Sequence, residues 1–294
     1  MSGLSQIYAT DPDGTLYNLA DNAAGWYFLG IEGIRFAPVH VIDGRTPYLD
    51  GATLRGKHVP TRLVVASIGL RKDTAAALQA ALTARESSLS PHKIVDATTD
   101  RFTLRLVTLD GRTRCLDGLF TEIKDEPDGP LFAEVFHTFY ASDPFFYDPT
   151  QHSESLSMPA KTGFSFPLSF PVSFAATEID GYIYPNNVGD VVAWPVIRIV
   201  GPADDPVIVN DTTGKTIGIT QSQDTNDYIE IDMRAGTVVF YDATAGTTTS
   251  ILETLSAASE FWSLNKGVNT IHITASGASG GAITLSWYNR YVSA

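Results

Sequence analysis

Cysteine is the scarcest residue in the sequence. Cys115 is the only one in 294 residues, which excludes an intrachain disulfide framework and any cysteine-rich zinc site. With no helper pattern for a nucleophilic thiol, it reads as a small core side chain. Charge is also sparse, and basic charge most of all: 20 Lys and Arg stand against 33 Asp and Glu, a formal charge of −13. That balance argues against a whole surface that grips nucleic acid tightly, because phosphate binding needs clustered cations, and leaves open only a local basic patch. Long apolar runs are missing too. Trp26–Ile31 is the most apolar short stretch and stops at Glu32, far short of the roughly 20 residues of a spanning helix. Met1–Asp13 has no positive segment leading into an apolar one, so the expectation is a protein made and folded in a cytosol, without membrane insertion.

Turn chemistry is abundant. Asp-Gly occurs seven times, starting at Asp13, Asp43, Asp50, Asp110, Asp117, Asp128 and Asp180, and suits tight hairpins that need positive φ. Between these steps lie strand-like runs: Leu63–Ile68, Phe102–Leu109 and Leu131–Tyr140. Arg112–Ile123 reads as the returning strand of a hairpin. Period two places Phe102, Leu104 and Leu106 on one face, and sets Ala133, Val135, His137 and Phe139 opposite Glu134, Phe136, Thr138 and Tyr140. The alanine-rich stretch Asp73–Glu86 predicts the one main helix, with Asp73 as N-cap and Leu78 and Leu82 on one face.

Composition shifts near residue 141. Two Asp-Pro steps flank three aromatics in the junction Asp143, Pro144, Phe145, Phe146 and Tyr147, followed by Asp148-Pro149, and a Phe/Pro segment spans Phe164–Phe174. Asp before proline is pushed to extended backbone. These signals predict two domains, 1–148 and 149–294, with the boundary somewhere in 143–160. The second half reads as all β, with short runs at sandwich-like spacing: Val191–Val200, Pro206–Val209, Lys215–Thr220, Tyr228–Met233, Thr237–Tyr241, Thr270–Ala275 and Ala282–Tyr288. Leu252–Glu260 reads as a short turn. The fold class is therefore mainly β.

Catalytic patterns are weak. Gly277–Gly281 matches the nucleophile pattern Gly-x-Ser-x-Gly but links two strand-like runs, where that pattern carries no chemistry. Glu230 and Asp232 share a strand face about 7 Å apart, beside one another and not across a sugar as an inverting hydrolase needs. The six histidines form no metal-ligating motif, and no phosphate-binding glycine loop follows a strand. No cofactor is implied, and the chain reads as a non-enzyme. Trp194, Trp262 and Trp287 lie in the second half, and Trp262 and Trp287 are the candidate glycan-stacking residues.

The order of these features resembles the distal tail proteins of bacteriophages with long flexible tails. The resemblance rests on the helix Asp73–Glu86, the aromatic junction Phe139–Tyr147, the segment Phe164–Phe174, Asn187–Asp190 with Ala193–Ile199 and Gly201-Pro202, the turn Asn210–Gly214, and Leu264–Ile271. It covers nearly the whole chain. It implies an N-terminal belt domain and a C-terminal galectin-like β-sandwich. It also implies a homohexameric ring at the virion tail tip that joins the tail tube to the tail-associated lysin or baseplate hub, surrounds the DNA channel and carries no catalytic residue. The implied partners are other copies of the chain, the tail-tube protein, the tail-associated lysin, and receptor-binding or side-fibre proteins on the outer domain. The acidic balance agrees with a channel that does not hold DNA. The competing readings are a carbohydrate-binding module for host glycans and a polysaccharide hydrolase.

Overall fold

The computed structural model describes residues 4–45, 48, 50–96, 99–157, 178–277 and 280–294. The segment Phe164–Phe174 and the centre of the Gly277–Gly281 loop lie outside them. The chain divides into two units: residues 1–149 together with 291–294, and residues 150–290. The last four residues therefore belong with the first unit.

In the first unit, β1 (Leu4–Thr10), β2 (Leu16–Asn18), β3 (Trp26–Glu32), β4 (His40–Gly44), β5 (Thr53–His58) and β6 (Arg62–Arg71) precede α1 (Ala75–Ser88). Then come β7 (Phe102–Thr108), β8 (Thr113–Pro127), β9 (Phe132–Ala141) and the short β10 (Phe146–Tyr147). The main sheet runs β2-β1-β7-β8-β9-β6-β3, while among the described residues β4 and β5 pair only with each other. Period two holds: Phe102, Leu104 and Leu106 are buried, as are Ala133, Val135, His137 and Phe139.

The helix starts later than expected. Thr74, not Asp73, is the N-cap, and its hydroxyl accepts from the Ala77 amide at 3.1 Å. Leu78 and Leu82 enter the same core as the main sheet. Arg85 joins them, its guanidinium 3.9 Å from the Trp26 ring centre.

Only four of the seven Asp-Gly steps place glycine at positive φ: Gly14, Gly51, Gly111 and Gly129. Gly118 and Gly181 instead sit inside strands. A Cβ on Gly118 would lie 2.0 Å from the Tyr140 carbonyl oxygen, so this glycine permits close backbone approach and makes no turn.

The second unit contains β11 (His152–Ser157), β12 (Ile179–Ile183), β13 (Asn186–Asn187), β14 (Val196–Val200), β15 (Ala203–Asn210), β16 (Lys215–Gly218), β17 (Ser222–Gln223) and β18 (Tyr228–Asp232). It continues through β19 (Thr237–Asp242), β20 (Thr247–Ser250), β21 (Gly267–Val268), β22 (Ile271–Ser276) and β23 (Ala282–Trp287). One sheet runs β11-β23-β14-β18-β19-β20, and another has β12-β22-β15-β16 as its main path. Ile197, Ile199, Ile229, Ile231 and Ile283 from the first share one core with Ile179, Ile208, Ile217, Ile271 and Ile273 from the second. That is a β-sandwich, filled by β-branched side chains that fit pleated surfaces. Leu252–Thr254 is a single 3₁₀ turn.

Candidate functional site

The aromatic junction is built around a buried arginine that the sequence did not single out. Arg62, 1% exposed, opens β6. Its Nε donates to the Pro144 carbonyl at 2.5 Å, Nη1 to the carbonyls of Gly33 and Arg35 at 2.6 and 2.7 Å, and Nη2 to that of Val292 at 2.8 Å. The guanidinium carbon stands 4.6 Å from the ring centre of Phe146, itself fully buried. Burial lowers the Arg62 pKa to about 10, with Asp143 opposing the shift, so the side chain stays charged at neutral pH. The fork geometry of arginine lets one residue satisfy four carbonyls from two loops and the C-terminal segment.

The remaining junction residues are fixed in turn. Asp143 accepts from the Phe145 amide at 3.4 Å, an Asx turn that sets the Asp143-Pro144 step. Tyr147 pairs in register with Cys115, and its hydroxyl donates to Asp117 Oδ1 at 2.6 Å. Burial, with Asp117 beside it, pushes the Tyr147 phenol well above its usual range. Burial likewise pushes the Cys115 thiol up to about 11. Both groups therefore keep their protons at neutral pH, and Cys115 is no nucleophile. Asp148 accepts from Arg114 at 2.9 Å and from the Tyr291 hydroxyl at 3.0 Å, while the Arg114 guanidinium lies 3.6 Å from the Tyr291 ring centre. The junction is thus a latch that secures the C-terminal residues within the first unit.

Beside Tyr147 opens a polar cavity of about 390 Å³ whose lining includes Asp11, Asp100, Arg101, Thr103 and Asp117. Its carboxylates are engaged internally. Asp11 accepts from Lys93 at 2.7 Å, Asp117 from Thr103 at 2.9 Å, and Asp100 from the amides of Val95 and Asp96. Among the described residues, no three His, Cys, Asp or Glu side chains group as metal ligands do.

The candidate stacking residues do not form a platform. Trp262 is 1% and Trp287 4% exposed, both in the sandwich core, and Trp194 packs against that core. Sugar stacking needs an exposed ring face, and the Trp262 and Trp287 rings offer none. Glu230 and Asp232 stay on the outer side of β18 while Ile229, Ile231 and Met233 are buried. Asp232 is occupied in a turn, accepting from the Arg234 and Ala235 amides at 2.8 and 2.9 Å.

The asparagines of the second unit are structural. Asn269 Oδ1 accepts from the Asn265 amide at 2.9 Å, and its Nδ2 donates to the carbonyls of Asn265 and Gly267 at 2.8 and 3.0 Å. Asn187 donates to the carbonyls of Val191 and Leu264 and accepts from the Gly189 amide. Asn210 Oδ1 accepts from the Thr213 amide at 3.2 Å in the turn that ends at Gly214, where φ is 73°. Each side chain replaces backbone partners that a loop cannot reach.

These loops fall within the part of the chain that matches a family model. Residues 188–291 match the siphovirus-type tail component, C-terminal domain. That stretch is similar to the C-terminal domain of siphophage tail components. No curated protein sequence matches the chain. Among solved structures, the phage SPP1 Dit protein, described as a paradigm of hub adsorption apparatus in phages that infect Gram-positive bacteria, aligns over 97% of this chain and 99% of its own. The TM-score is 0.66 at 15% identity. A chain of the phage P2 baseplate in its activated conformation with calcium aligns over 96% and 98%, with a TM-score of 0.52 at 10% identity; the strontium form gives 0.51 at 10%, over 96% and 97%. At such identities the likeness speaks for fold. Asn210 and Asn269, within the matched stretch, hold loops of this sandwich.

Proposed function

We propose that the chain forms a six-copy ring at the tail tip, joining the tail tube to the tail-associated lysin or baseplate hub and surrounding the DNA channel. The first unit is the belt that makes the ring. The second is the galectin-like outer domain that faces receptor-binding or side-fibre proteins. The alignment of both units, over nearly the whole length, with a protein described as a hub adsorption apparatus carries this reading. The site chemistry supports it, because Arg62, Cys115 and Tyr147 hold their protons and the cavity carboxylates are engaged internally. The formal charge of −13 per chain, multiplied around a ring, suits a bore that passes DNA without retaining it. With Trp262 and Trp287 buried, no observation favours the glycan-binding alternative.

Light scattering and negative-stain imaging of the full chain, at low and moderate salt and with tail-tube protein added, test the proposal. Six-fold rings, alone or stacked on tube protein, are expected. A monomer that ignores tube protein under every condition would overturn it.

A further inference from the structure

The β4–β5 hairpin has no partner within its own sheet. It grows out between β3 and β6, and among the described residues it pairs only with itself. Val41 and Ile42 are successive, so they point to opposite faces, yet they are 63% and 53% exposed; Leu54 is 69% exposed. An isolated two-stranded hairpin with apolar residues on both faces is marginal in water, and such exposure marks a surface that is covered in use. The segment is also basic within an acidic protein: Arg35, Arg45, Arg55 and Lys57 stand against Asp43 and Asp50.

The opposite end of β6 carries the complementary charge. The β8–β9 hairpin holds Glu122, Asp125, Glu126, Asp128 and Glu134 against one lysine, Lys124. Beside them Leu131 is 41% exposed. The register fixes the two hairpins at opposite ends: Arg62, next to β5, pairs with Ala141, whereas Arg71 pairs with Phe132 at the acidic tip. Ten residues of β6 separate the ends, about 30 Å at strand rise, so one molecule cannot satisfy itself.

We propose that the basic, apolar β4–β5 hairpin of one copy docks on the acidic β8–β9 tip of the next. Complementary patches at opposite ends of one subunit make a head-to-tail contact, the kind that closes rings. Opposite potentials steer the encounter, and apolar residues from both hairpins are covered by it. This inference rests on the ring reading and names the surfaces that build it.

The test uses the full chain and compares assembly midpoints by mass photometry, with circular dichroism as the control for folding. R55E/K57E and D125K/E126K should each raise the midpoint concentration by about tenfold or more. Combining all four substitutions should return it to within about threefold of the unmodified protein, a rescue that misfolding cannot produce. If the unmodified chain never assembles, the ring reading itself fails. If it assembles and the charge variants assemble equally well, only the docking proposal is overturned. Rings that form normally with R55E/K57E but no longer capture tail-tube protein would overturn it as well, by assigning the hairpin to the tube.

Discussion

Arg62 and Val292 are 230 residues apart in the chain and joined by a 2.8 Å hydrogen bond from Nη2 to the carbonyl. The same guanidinium satisfies Pro144, Gly33 and Arg35, so the start of β6, the aromatic junction and the C-terminal segment are one structural element. R62M removes all of these donors while keeping much of the apolar stem. Each buried carbonyl left without a donor costs about 1–3 kcal/mol. Urea unfolding should therefore show a loss of at least about 3 kcal/mol. R62K should recover little of it, because one ammonium cannot reproduce the fork. A loss under about 1 kcal/mol would mean that water replaces the donors.

His137 gives the first unit an acid-sensitive core. It is buried on β9, and burial, with Arg85 nearby, lowers its pKa to about 3. The unfolded chain protonates near the usual histidine value, about 6.5. Below that pH the unfolded state binds a proton that the folded state refuses, so stability falls as pH drops from about 6.5 toward 3. Between pH 6 and 4.5 the unmodified protein should lose about 2 kcal/mol more than H137L does. Parallel pH profiles for the two proteins would remove His137 from the account of acid lability.

The helix start separates two adjacent candidates. Thr74→Ala deletes the hydroxyl that accepts from Ala77 and should cost about 1 kcal/mol. Asp73→Ala, one residue earlier, should cost less than about 0.5 kcal/mol. Equal thermal shifts for the two variants would contradict the Thr74 cap.

Trp262 and Trp287 fill the sandwich core. Trp262→Ala should destabilise the second unit by about 3–5 kcal/mol. Any loss of glycan retention in that variant would then track unfolding, so circular dichroism has to accompany a glycan array. A W262A protein with an unchanged melting curve would show that the ring is not part of the core.

Asn269 bridges its own loop through three hydrogen bonds. Asn269→Ala leaves buried carbonyl and amide groups unpartnered and should lower stability by about 2 kcal/mol. Asn269→Asp keeps the acceptor but sets a buried carboxylate oxygen against the two carbonyls, and should cost at least as much at neutral pH. Denaturant midpoints that leave the aspartate variant as stable as the unmodified protein would argue against the donor role.

Much of the architecture was legible before folding was considered. Period-two patterning gave β7, β9 and β18 with their buried faces, because side-chain alternation follows from strand geometry alone. Alanine content gave α1, although the cap moved by one residue, since Asp73 and Thr74 both suit that position. The loop turns were legible for a local reason as well: Asn210, Asn269 and Gly214 act within a few residues of themselves.

What could not be read was whatever depends on partners distant in sequence. The sequence determined the strand-forming runs, the main helix, the acidic balance and the loop-forming asparagines, all set by short-range sterics and hydrogen bonding. Only the tertiary structure decided that Arg62 is a buried hub, that Gly118 serves close approach and not a turn, and that Trp262 and Trp287 point inward. It also set the basic and acidic hairpins at opposite ends of β6. These outcomes follow from strand register and layer packing, which bring together residues that no local pattern connects.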